Sequence, residues 1–145
     1  MDEIGQLRIY VSEKHFPVYQ ELGRTLFSQN SDFFIFCVFA GSRLNQAKEF
    51  SKKQELCRAV TLSEHDWISL KSVYFNNHGE VGTYKEMTQL AEKYAHAGIT
   101  HMINNELKEY LIQDEAERYR LKGNLDELQM QIMEYVLKSK EEAPF

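Results

Sequence analysis

Phe33-Phe34-Ile35-Phe36-Cys37-Val38-Phe39-Ala40 runs for eight residues without a polar side chain, and no other stretch constrains the fold as strongly. Left in water, its aromatic side chains would each forgo roughly 2 to 3 kcal/mol of burial free energy, so the run belongs in a core. It does not alternate, and periodicity alone cannot separate a buried strand from a buried helix. Ser31 and Asp32 ahead of it offer an N-terminal cap, Gly41 follows where a C-terminal cap belongs, and Phe36 lies one turn from Ala40. Those signals predict a helix. The run is too short to cross a bilayer.

The rest of the chain supplies elements to cover it. Leu7, Ile9 and Val11 alternate with polar neighbours, the period of a half-buried strand. Ser12 is positioned to cap a helix reaching about Ser28, with Pro17 tolerated in its first turns. The polar stretch 42–54 reads as loop or mobile helix, and Leu56 to Leu62 as a short second strand. Ser63-Glu64-His65-Asp66 opens a helix that Asn76-Asn77-His78-Gly79 ends. Thr83 with Glu86 forms a capping box for a helix carrying Met87, Leu90, Ala91, Tyr94 and Ala95. A kink or tight turn is expected at Gly98, with the apolar pattern continuing to Leu111. Leu125, Leu128, Ile132, Tyr135 and Val136 follow +3, +4, +3 spacing, an amphipathic C-terminal helix over about 125–138, with fraying from Lys138 onward. The expected fold is mainly α (α+β), a compact helical domain of residues 1–145 with one or two short strands near the N-terminal half.

At 145 residues the chain has the size of one domain. Its net charge of −5 belongs to the second half: residues 1–72 hold nine Lys/Arg and nine Asp/Glu, whereas 73–145 hold eight and thirteen. A duplex-DNA binder needs a basic face. The local candidate is Arg43, Lys48, Lys52, Lys53 and Arg58, diluted by Glu49 and Glu55. The strand Leu7 to Val11 entering a helix also has the outline of ribbon-helix-helix DNA readers. Cys37 and Cys57 form no CxxC pair, so neither a zinc site nor a redox dithiol is expected. The N-terminal residues lack a basic region and an apolar stretch, so no secretory signal is read and a cytoplasmic location is expected.

Histidines and carboxylates are the candidate reactive groups. His96 and His101 are five apart, about 140° around a helix, so they do not converge on a metal. His65-Asp66 could orient a general base, but Asp66 in a first helical turn already complements the helix dipole. Asp114, Glu115 and Glu117 beside Arg118, Arg120 and Lys122 read as a solvated helix face with i,i+4 pairing. Gly79-x-x-Gly82 lacks the Lys-Ser/Thr of a P-loop and reads as a turn. No catalytic residue, metal or cofactor is expected, and the function should be non-enzymatic.

Arg8-Ile9-Tyr10-Val11 leading into Tyr19-Gln20-Glu21-Leu22, the apolar run entering Gly41, and Leu90-Ala91-Glu92-Lys93-Tyr94-Ala95-His96-Ala97-Gly98-Ile99 resemble, in order over about residues 7–112, the small accessory proteins encoded beside bacterial DNA-phosphorothioation (Dnd) modification and restriction systems. The chain departs from that pattern over Ser42 to Lys53 and in the helix after Gly123. The resemblance implies an accessory or regulatory protein of a bacterial DNA-modification or anti-phage system, with no catalytic residues to transfer. A protein partner or a second copy of the chain is expected at the stripe Leu125, Leu128, Ile132 and Tyr135, unless that stripe packs on the chain's own core. The alternative is a small nucleic-acid-binding transcriptional regulator using Arg43 to Arg58. No membrane contact is expected.

Overall fold

The computed structural model describes residues 4–27 and 29–142, with side chains through 138. Among these, five α-helices and two short antiparallel pairs of strands surround one core, a mainly α arrangement. The order is β1 (Arg8–Ser12), α1 (Phe16–Thr25), α2 (Asn30–Arg43), β2 (Lys53–Arg58), α3 (Glu64–His78), α4 (Tyr84–Asn104), β3 (Leu111–Gln113), β4 (Tyr119–Leu121) and α5 (Leu125–Glu142). β1 pairs with β2 and β3 with β4. The register of the first pair jumps between Ile9 and Tyr10, which face Cys57 and Glu55 and leave Leu56 as the extra residue of a bulge.

The apolar run is helical, at the centre of the molecule. On α2, Phe33, Phe34, Cys37, Val38 and Ala40 are buried. Tyr19 and Phe27 close on Phe33 at ring separations of 5.4 and 5.2 Å, and Phe36 meets Tyr135 of α5 edge-on at 5.5 Å. Gly41, expected as a cap, lies within the helix, and Gly98, expected as a kink, lies within an unbroken α4. One contact explains both departures. A Cβ on Gly41 would overlap the Tyr94 carbonyl, and one on Gly98 would overlap the Cys37 carbonyl. The two glycines let the α2 and α4 backbones touch, a requirement of packing rather than of chain reversal.

The capping box expected at Thr83 and Glu86 forms, and the helix start expected at Ser63 carries a second one. Ser63 accepts from the Asp66 amide and Asp66 from that of Ser63, and Thr83 and Glu86 repeat the arrangement. Gly79 ends α3 in the left-handed conformation. Elsewhere local signals mislead. Ser12 remains in β1, and α1 begins after His15 without a side-chain cap; it ends at Thr25, while Ser28 lies outside the described residues. Gln29, not Ser31 or Asp32, precedes α2 as its cap residue, again without a side-chain bond. The second strand is Lys53–Arg58, and a 3-10 turn occupies Ala59–Thr61.

The largest correction concerns 113–122, which is a hairpin, not a helix face. Asp114 takes the amides of Ala116 and Arg118 on Oδ1, and its Oδ2 lies 3.3 Å from Arg120 Nε and 3.7 Å from Arg118 Nε. Glu117 adopts a positive φ of 64°. A short acidic side chain that satisfies backbone amides locally competes with a helix at the same charge spacing. The strand content therefore extends into the C-terminal half. No described helix is long and apolar enough to cross a membrane.

Candidate functional site

The five basic residues are all exposed and come from separate elements and the stretch between them. Arg43 ends α2, with its guanidinium 5.8 Å from the Tyr135 ring centroid. Arg58 donates from Nη2 to the Gly5 carbonyl. Lys53 sits 5.5 Å above the Phe50 ring, and the Lys48 amide donates to the Lys93 carbonyl, while Lys52 is exposed just ahead of β2. His65 is exposed, and the Asp66 carboxylate beside it is held by the α3 cap. The resemblance-bearing segment Tyr94 to Ile99 is the α2–α4 crossing, so its small residues have a complete explanation in packing.

A polar cluster that no sequence spacing revealed lies where α4 meets the N-terminal strand. Glu92 and His96 occupy one face of α4, a turn apart. Glu92 is buried and accepts the Tyr10 amide at 2.8 Å, and burial pushes its carboxyl up to about 7 against the pull of that bond and of Lys53. His15, also buried, lies 5.2 Å from His96 between ring centres, and Phe50 stacks on the other imidazole at 4.9 Å. Burial, then the neighbouring His96 and Lys14, bring His15 down to about 3, and burial with Lys48 and Lys14 lowers His96. Both imidazoles are therefore neutral at pH 7. A cleft of about 330 Å³ opens beside Glu92, lined also by Phe50, Lys53 and Gln89. Among the described residues, no three His, Cys, Asp or Glu converge to hold a metal. Burial also pushes the Cys37 and Cys57 thiols up, keeping them protonated and unreactive.

α5 has two apolar faces. Leu128 and Ile132, expected to meet a partner, are buried in the chain's own core at 0 and 8 % exposure, and Tyr135 packs on Phe36. Leu125, at the start of the helix, is partly open. The sequence spacing identified the inward stripe; the outward one is Met130, Met133 and Leu137, exposed by 60, 53 and 59 %. On one side of it, Leu26, Phe27, Met133 and Val136 line an apolar hollow of about 240 Å³. On the other, Glu106, Glu134, Tyr135, Leu137 and Lys138 line a polar one of about 300 Å³. Leu137 is the ridge between them. Compared with protein families, curated proteins and solved structures, the chain matches none.

Proposed function

We propose that the chain is a non-enzymatic interaction protein that binds a protein partner along the outward face of α5. The observation that carries this reading is Met130, Met133 and Leu137, three large apolar side chains more than half exposed on one face of a helix whose opposite face is already buried. An amphipathic helix needs one apolar stripe to hold it to its own core. A second stripe brings no stability to the isolated chain, and unbranched methionines suit a surface that adapts to another protein. The setting in a bacterial DNA-modification or anti-phage system rests on the Dnd resemblance alone.

The test is affinity copurification from the native host with the wild-type chain and with M133S/L137S. The reading expects a protein retained by the wild type and lost by the variant, with the same urea midpoint for both. Retention by both, or by neither, removes it. No observation favours the nucleic-acid alternative: Arg43 rests against the Tyr135 ring and Arg58 donates to the Gly5 carbonyl.

A further inference from the structure

We infer that the partner segment docking on α5 is a basic amphipathic helix, whose apolar stripe covers Met130, Met133 and Leu137 while its Lys or Arg side chains reach Glu134 and Glu106. This rests on the partner reading above and adds the chemistry of the partner.

Three observations point to a cation. The described α5 side chains include Asp126, Glu127 and Glu134 against Lys138 alone, so the rim of the stripe is acidic. Glu106 lines the hollow beside Leu137, and its Oε2 is buried without a hydrogen-bond partner among the described residues. That atom is closed to solvent, so an incoming ammonium or guanidinium pairs with the Glu134 carboxylate and the rest of the Glu106 head, beside Lys138 of the same hollow. The hollow, at about 300 Å³, admits a long side chain from above the Leu137 ridge. With 3.6 residues per turn, Met130, Met133 and Leu137 fall within about 60° of one another, and Glu134 follows on the Glu106 side. That places an apolar strip next to an anionic one, the complement of a helix with leucines on one face and lysines beside them.

A second copy of the chain fits this surface poorly. A two-fold axis through the centre of the stripe would set Glu134 against its own copy, and like charges at an interface oppose association.

The probe is a short fluorescent Leu–Lys peptide with leucines at i, i+3, i+4 and i+7, compared with its Leu–Glu counterpart by anisotropy against the full chain. The Leu–Lys peptide should bind, weakening with salt, and the Leu–Glu peptide should not. M133S/L137S should lose about tenfold in affinity although charge is unchanged. E106Q/E134Q should lose severalfold and flatten the salt dependence, whereas E115Q/E117Q, in the exposed hairpin turn, should leave both unaltered. Urea midpoints verify that each variant is folded. Absence of Leu–Lys binding, equal binding of Leu–Glu, or equal losses from the two Glu pairs overturns the inference. If such a result accompanies a host protein that M133S/L137S releases, the inference falls and the partner reading stands; if no host protein is released, both fall.

Discussion

Gly41 and Gly98 lie where the α2 and α4 backbones touch, and a side chain at either would overlap a carbonyl of the facing helix. Gly98→Ala should therefore destabilise the protein. Overpacking typically costs 1–3 kcal/mol, and alanine recovers up to about 1 kcal/mol of helix propensity, leaving a net loss of roughly 1–2 kcal/mol where backbone carbonyl stands in the way. Gly5→Ala, with open space around it, should change stability by less than about 0.5 kcal/mol. Equal urea midpoints for the two variants would refute the packing role. Neither contact was legible beforehand, because a glycine within an apolar pattern signals a cap or a kink as readily as a crossing, and only the partner helix decides.

Glu92 and His15 make opposing contributions to stability with pH. Glu92 is raised from 4.5 to about 7, so its contribution is complete below pH 4.5 and disappears as pH rises through about 7. His15 is lowered from 6.5 to about 3, so its contribution is complete above pH 6.5 and disappears as pH falls through about 3. Between pH 4.5 and 6.5 the two slopes cancel. Above that window Glu92 acts alone, and Glu92→Gln, which still accepts from the Tyr10 amide, should gain stability relative to wild type by about 2 kcal/mol between pH 5 and 7.5. Parallel stability curves over that range would exclude an ionisable Glu92 as the cause. The cluster escaped sequence reading because His15 and Phe50 come from segments far from the Glu92–His96 turn of α4, and only the fold brings them to it.

At the scale of elements, local signals served unevenly: the Thr83/Glu86 box was expected and forms, the Ser63/Asp66 box was not expected, and the caps expected at Ser12 and at Ser31 or Asp32 do not form. The boxes Ser63/Asp66 and Thr83/Glu86 involve four residues each, and their geometry is set within one turn. β2 and the β3–β4 hairpin depend on partners distant in sequence or on Asp114 bonding its own turn, so helix-like charge spacing from Asp114 to Lys122 pointed the wrong way. For α5 the periodicity was right and the direction was the open question. Leu128→Ala should cost about 2–5 kcal/mol as a buried leucine truncation, while Met130→Ser should stay within about 0.5 kcal/mol. Urea denaturation that found the opposite order would reverse the two faces.

Across the whole molecule, one hydrophobic cluster draws residues from β1, α1, α2, β2, α3, α4 and α5, with Leu111 joining from β3. Such a core should unfold in a single step, with calorimetric and van't Hoff enthalpies in agreement; two resolved transitions would contradict it. The mainly α class followed from local patterns summed along the chain, but the way distant segments close on each other did not. Tyr119 donates its amide to the Lys14 carbonyl, and Leu121 donates to Glu21 at 3.1 Å. During synthesis, then, the first strand and helix leave the ribosome with these acceptors hydrated and wait for about a hundred further residues before the hairpin arrives to seal them. The aromatic run of α2 emerges in that interval with α4 not yet made, which makes the nascent chain most exposed to aggregation and to chaperone capture while its middle third is being translated.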